Sequence, residues 1–182
     1  MSRTLIALVE DKPGVLNRVA SLFRRRNFNI VSLNAGRTER SDVSRMTIIL
    51  DSDDRQARLV EANLYKLVNV IDVQDVTNQP AVMRDLALIK VKASQDQRSE
   101  VINLASVFRA NVVDVCSDSM ILEITGTEDK IESMLELLRP FGILEMVRTG
   151  QVAMPRGDHC GVRYTPGANG FNRKDIESLI EA

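Results

Sequence analysis

The sequence has few of the residues that metal, disulfide and nucleic-acid sites need. It contains two cysteines, Cys116 and Cys160, and one histidine, His159. Two distant cysteines make neither a disulfide framework nor a paired metal-ligand spacing, and they favour a reducing cytoplasm. Tryptophan is absent and aromatic residues are 4% of the chain, whereas RNA-binding sheets present aromatic side chains and a basic surface.

Charge and hydropathy exclude two further classes of partner. The 24 basic and 25 acidic residues give a net charge of −1, which provides no field that attracts polyanions or membrane surfaces. No apolar run approaches membrane-spanning length, and the first residues lack a basic segment followed by an apolar core. We therefore expect a soluble, cytoplasmic protein that binds neither nucleic acid nor membrane.

Hydrophobic periodicity in the first half of the chain predicts the order βαββαβ. Residues Gly36 to Ser44 are polar and predict a turn, and the basic run 24–26 suits the negative end of a helix dipole. We interpret this run as a solvated helix end, and the alternative is that it binds an acidic surface of a partner. The predicted strands are 4–10, 28–35, 44–50 and "NVIDVQDV", and the helices follow Pro13 and Asp53-Asp54.

The second half repeats this order. Strand 86–93 places Ile89, Val91 and Ala93 inward, and Thr127 has the position of a helix N-cap. The remaining predicted elements are a helix with Val101, Leu104, Ala105 and Phe108 on one face, strands "NVVDVCS" and "SMILEITG", a helix with Ile131, Met134, Leu135 and Leu138 on one face, and strand "GILEMVRTG".

The repeat predicts an α+β fold of two tandem ferredoxin-like βαββαβ domains. The turn chemistry of "NQP" predicts a border near Gln79. We thus expect one domain over residues 1–78, a second over 79–157, and a loop-rich tail over 158–182. Beyond Val152 the periodic pattern ends, so the tail is expected to be mobile or ordered by a partner.

The turn Asp11-Lys12-Pro13-Gly14 precedes the first helix. Proline at a helix start loses no hydrogen bond, and glycine allows a ligand to approach the backbone closely. The N–H groups of Gly14, Val15 and Leu16 would then attract a carboxylate, while Asp11 would hold an ammonium group. The turn thus matches the two charges of an amino acid. A well-capped helix with Asp11 as N-cap is the alternative.

The segment "LVEDKPGVLNRVASLFRRRNFNIVSL" resembles the opening of an ACT domain, a βαββαβ module that binds amino acids. Together with "SRMTIIL", "LYKLVNVIDV", "LALIKV", "NVVDVCSDS" and the second repeat, it closely resembles the regulatory, or small, subunit of acetolactate synthase. The likeness covers about residues 1–157.

The resemblance implies a non-catalytic subunit in branched-chain amino acid biosynthesis. Such a subunit activates the catalytic subunit and confers feedback inhibition by valine. It implies a homodimer formed through the ACT domains, no cofactor in this chain, and thiamine diphosphate, FAD and magnesium only in the catalytic partner. The implied effector-binding residues are Asp11, Gly14, Val15 and Leu16 of one chain with Asn29 and Ile30 of its neighbour. The family commonly has Asn where this sequence has Asp11.

Other candidate sites favour structural interpretations. The trio "DHC" around His159 lacks companion ligands, and Asp51, Asp53 and Asp54 lie where a strand ends and a helix begins, which capping explains. Cys116 is expected in or near a core because strand residues surround it. We therefore predict no metal site.

Two other functions remain as alternatives. Another amino-acid-sensing regulator of the ACT type would share the same helix start. A stand-alone enzyme on a ferredoxin-like fold would need a convergent base, nucleophile or metal set, and the sequence shows none, so no catalytic residue is predicted.

Overall fold

The computed structural model describes residues 2–157. The predicted tail, 158–182, with His159 and Cys160, lies outside the described residues. The described chain forms two compact units, one of residues 2–82 with 153–157 and one of residues 83–152.

The first unit has the predicted βαββαβ order. The elements are β1 (Ser2–Glu10), α1 (Val15–Arg26), β2 (Ile30–Arg37), β3 (Val43–Asp51), α2 (Asp54–Leu64) and β4 (Val70–Asp75). The sheet is antiparallel with strand order β2-β3-β1-β4, so β2 and β4 are its edges. The predicted turn is shorter than expected because Gly36 and Arg37 end β2, while Val43 and Ser44 begin β3.

Both helices cover one face of this sheet. Residues at alternating positions of the central strands and at helical spacing in α1 and α2 bury their side chains together, which is the periodicity expected for these elements. The basic run 24–26 is exposed in the last turn of α1, as the helix-end interpretation predicts. The core contains Leu5, Ala7, Val9, Val15, Val19, Phe23, Met46, Ile48, Leu50, Val60, Leu64 and Val73.

The second unit repeats the order and confirms the tandem prediction. The elements are β5 (Ala81–Lys92), α3 (Arg98–Val107), β6 (Asn111–Val115), β7 (Ser119–Gly126), α4 (Glu128–Leu138) and β8 (Ile143–Arg148). A short 3₁₀-helix, Arg139–Phe141, follows α4. The strand order is β6-β7-β5-β8. A further strand, β9 (Val152–Pro155), pairs with β5, and its residues 153–155 are grouped with the first unit.

The inward residues predicted for β5 are fully buried, as are Ile131 and Met134 of α4. Strand β9 was not predicted because four residues are too few to show a period. Thr127 is the N-cap of α4 as predicted, although its side chain makes no capping hydrogen bond. Asp53 does cap α2: its carboxylate accepts from the Gln56 N–H at 2.7 Å and completes a capping box.

The prediction for Cys116 is wrong. Its side chain is exposed, and Sγ lies 3.4 Å from the Asp114 carboxylate. Cys116 directly follows β6, which lies at the sheet edge and has all five of its residues exposed. A strand pattern in the sequence does not distinguish an edge strand from a central one.

Candidate functional site

The first helix begins directly after the predicted turn, at residue 15. Its first residue is Val15, its N-cap is Gly14, and Pro13 belongs to the preceding turn. Gly14 has φ of 83°, a left-handed conformation that L residues with a side chain adopt at a cost. The Val15 N–H donates to the Lys12 carbonyl at 3.3 Å, so it is not a free donor, contrary to the prediction.

Asp11 links the helix start to β3 and does not cap α1. Its N–H donates to the Asp42 carbonyl at 2.8 Å, and its carboxylate accepts from Ser44 Oγ at 3.2 Å. The alternative interpretation of Asp11 as N-cap is therefore wrong. Its side chain is exposed and faces the beginning of β3.

A pocket of about 260 Å³ lies between the start of α1 and one end of the sheet. Val9, Val15 and Met46 belong both to the pocket wall and to the hydrophobic core, so the pocket opens on the helix-covered side of the sheet. The antiparallel register brings the end of β1, the end of β2 and the start of β3 to this place. The lining residues are Val9, Glu10, Asp11, Lys12, Val15, Leu16, Ala35, Gly36, Arg37, Ser44 and Met46.

Four charged side chains line the pocket, and two of them neutralise each other. Lys12 Nζ lies 3.1 Å from Glu10 Oε2, and the Asn69 amide donates to the same oxygen at 2.6 Å. The hydrogen bond from Asn69, followed by Lys12, lowers the pKa of the Glu10 carboxyl. The charges left for a ligand are those of Asp11 and Arg37.

The structure brings together three of the six predicted site residues. Asp11, Val15 and Leu16 line the pocket, and Gly14 does not. Asn29 and Ile30 were predicted to come from the neighbouring chain, so their place in the site stays a prediction. Sequence reasoning missed the wall formed by Ala35, Gly36, Arg37 and Ser44. A hairpin register between β2 and β3 would have placed Arg37 opposite Ser44, but the sequence leaves that register open.

This arrangement suits a small zwitterion with an apolar side chain. The Asp11 carboxylate and the Arg37 guanidinium flank a partly apolar wall, so the ammonium group and the carboxylate of a ligand can each lie beside an opposite charge. Among residues 2–157, no group of three or more histidine, cysteine or acidic side chains is placed to hold a metal ion. Within the same residues, no helix is long and apolar enough to cross a membrane.

Both units match known families. Residues 5–72 match the family described as "AHAS small subunit-like ACT domain", and residues 84–157 match "Small subunit of acetolactate synthase". The chain belongs to the acetolactate synthase small subunit family.

Individual relatives agree with this assignment. The chain is 51% identical to a probable acetolactate synthase small subunit of Archaeoglobus fulgidus, over 87% of this chain and 99% of that one. It is 49% identical to the acetolactate synthase small subunit of Mycobacterium bovis, over 86% of this chain and 93% of that one. The crystal structure of the acetolactate synthase small subunit from Thermotoga maritima matches with a TM-score of 0.81 and 38% identity, over 87% of this chain and 99% of that one.

Proposed function

We propose that this small subunit is non-catalytic, binds and activates the catalytic subunit of acetolactate synthase, and makes that enzyme sensitive to valine. The observation that carries the valine proposal is the pocket at the start of α1, where Asp11 and Arg37 offer opposite charges beside an apolar wall. Family membership supports the regulatory role. Residues 1–78 would form the effector-binding domain, and residues 79–157 the second domain of the subunit.

In the proposed complex, the ligand ammonium group lies beside Asp11 and its carboxylate near the positive end of the α1 dipole. The side chain of valine would pack against Val15 and Leu16 at the pocket wall. Leu16 is 48% exposed, so it has apolar surface that a ligand can cover. Gly14 would act through the turn that its left-handed conformation permits, since it does not line the pocket itself.

A homodimer would complete this site through the edge strand β2. An edge strand offers unpaired backbone N–H and C=O groups, and Val31 on β2 is 62% exposed. In a two-fold antiparallel pairing of two β2 strands, the start of one strand lies beside the end of the other. Asn29 and Ile30 of the neighbouring chain would then approach Arg37 and the pocket.

Within the complex, thiamine diphosphate, FAD and magnesium would belong to the catalytic subunit, which forms acetolactate. This chain would carry valine alone. We propose that the complex works in the cytoplasm, which agrees with the low cysteine content of this chain.

Reconstitution tests this proposal. The purified full chain is mixed with the catalytic subunit, and acetolactate formation from pyruvate is measured with and without valine. We expect the chain to raise activity and valine to lower the activity of the complex, while calorimetric titration of the chain alone detects valine binding.

The other functions give different results in the same experiment. Acetolactate formed by this chain without a catalytic subunit would contradict a non-catalytic role. Amino-acid binding without any effect on the catalytic subunit would instead favour a different ACT-type regulator. Parallel titrations with leucine and isoleucine identify the preferred effector.

A further inference from the structure

We infer that Arg37 selects a free carboxylate on the ligand of this pocket, so that the effector must be an unmodified α-amino acid. This inference rests on the proposed function and extends it to a residue on β2. It concerns the chemical class of the ligand, which the helix start alone does not determine.

The sheet register places Arg37 on the pocket wall. Arg37 of β2 and Val9 of β1 are both cross-strand partners of Ser44, which lies between them on β3. Directly opposed residues project from the same face of a sheet, so the Arg37 side chain shares the face of Ser44. Ser44 Oγ in turn donates to Asp11 at 3.2 Å. Cation, hydroxyl and carboxylate therefore follow one another along this side of the pocket.

Arg37 is the cation that the surrounding structure leaves for a ligand. It is exposed, and no ion pair or side-chain hydrogen bond joins it to any of residues 2–157, not even to Asp11 in the same pocket. The other nearby cations have partners: Lys12 with Glu10 at 3.1 Å, Arg18 with Asn69 at 2.8 Å, Arg40 with Asp42 at 2.8 Å, and Arg45 with the Ala153 carbonyl at 2.7 Å.

A guanidinium binds a carboxylate through parallel N–H donors and through its opposite charge. An amide or an ester group is uncharged, so it does not offer this pairing. The helix start adds a partial positive charge on one side of the ligand, and Arg37 adds a full charge on the other. With the ammonium group beside Asp11, the pocket would favour free amino acids and reject their amides, their esters and peptides with the same first residue.

Calorimetric titration with valine and valinamide tests this inference on the full chain. The two ligands share the ammonium group and the side chain and differ in the carboxylate. We expect the original protein to bind valine about tenfold or more tightly than valinamide, because one charge-assisted contact contributes about that much to affinity. Arg37→Gln should reduce that preference to about twofold or less by weakening valine binding, and Arg37→Lys should retain an intermediate preference. Arg24→Gln, an exposed arginine in the last turn of α1, should change nothing.

The ratio of the two affinities separates recognition from general damage, because a loss of structure weakens both ligands together. An unchanged preference in Arg37→Gln overturns this inference while valine binding by the original protein still supports the proposed function. If Arg37→Gln binds neither ligand, the Arg37→Lys variant is used for the test instead. An Arg37→Lys preference for valine over valinamide equal to that of the original protein overturns the inference. No binding of valine, leucine or isoleucine by the original protein overturns both proposals.

Discussion

Ser44 Oγ donates a hydrogen bond to Asp11 Oδ1 over 3.2 Å, which ties the turn before α1 to the first residues of β3. Ser44 also stands opposite Arg37 in the β2–β3 ladder. One hydroxyl thus lies between the two charged side chains that the pocket offers to a ligand. The contact orients the Asp11 carboxylate without neutralising its charge.

Asp11→Asn should weaken valine binding about two- to fivefold, because it removes the attraction between a carboxylate and the ligand ammonium in an exposed setting. The fold should be unaffected, since an amide oxygen can still accept from Ser44. Titration calorimetry measures the change. The control ligand is 2-hydroxyisovalerate, which has no ammonium group and should lose no affinity. Equal losses for both ligands would contradict an ammonium site at Asp11.

Val31→Lys should weaken the proposed dimer, because a lysine on an edge strand opposes pairing of one edge with another. Val68→Lys is the matched control, since Val68 is 91% exposed and lies after α2, away from β2. Sedimentation of both variants measures the association, and valine titration follows in the same samples. A monomeric Val31→Lys that keeps full valine affinity would show that the neighbouring chain contributes nothing to the site.

The sequence predicted the fold well because both kinds of periodicity are strong in it. Positions such as Val19 and Phe23 in α1, or Ile89 and Val91 in β5, are buried as their spacing predicts. The repeat of these patterns in the second half then indicated two ferredoxin-like units, and both were found.

The candidate site was predicted in part, since a pocket depends on register and backbone conformation. Nothing local in the sequence shows that Arg37 stands opposite Ser44. The sequence predicted the turn before α1, but it did not show that Gly14 is left-handed or that the Val15 N–H is already bonded within that turn. Cys116 was misplaced for a similar reason, because exposure at a sheet edge is a tertiary property.

Glu61→Gln should stabilise the protein at neutral pH. Burial, followed by the charges of Asp75 and Asp72, raises the pKa of the Glu61 carboxyl above its ordinary value of 4.5. Between 4.5 and the raised pKa the native state binds more protons than the unfolded state, so Glu61 makes stability fall as pH rises through this window. Glutamine at this position removes that loss of stability. It should have little effect below the window, where Glu61 is protonated in both the native and the unfolded state.

Thermal unfolding followed by circular dichroism over about pH 4 to pH 8 measures this linkage. Glu136→Gln, which changes an exposed carboxylate of α4, is the control and should leave the unfolding temperature unchanged. A Glu61→Gln variant that is equally stabilised at both ends of the range would indicate a packing effect and contradict the linkage.

Arg148→Met should lower the free energy of unfolding by about 3 kcal/mol, because it leaves a buried carboxylate without its cation. Asp85 is 2% exposed, and Arg148 contacts its Oδ2 through Nε at 2.8 Å and Nη2 at 2.6 Å. Adding Asp85→Asn to Arg148→Met removes the orphaned charge and should recover part of the loss. Urea unfolding of the two variants measures both effects, and a double variant no more stable than Arg148→Met would contradict the buried-charge explanation.

Gly14→Asp and Gly14→Asn form the sharpest test of the helix start. Both residues must adopt φ of 83°, where asparagine and aspartate are tolerated better than other residues with side chains, and a Cβ at Gly14 meets no atom within 4 Å. The two variants thus share the backbone cost and differ mainly in charge. Since an anion next to the bound carboxylate repels it, Gly14→Asp should lose valine inhibition of the reconstituted enzyme, while Gly14→Asn retains most of it. Both should still activate the catalytic subunit. If Gly14→Asp requires no more valine for inhibition than Gly14→Asn, the ligand carboxylate does not lie near this turn.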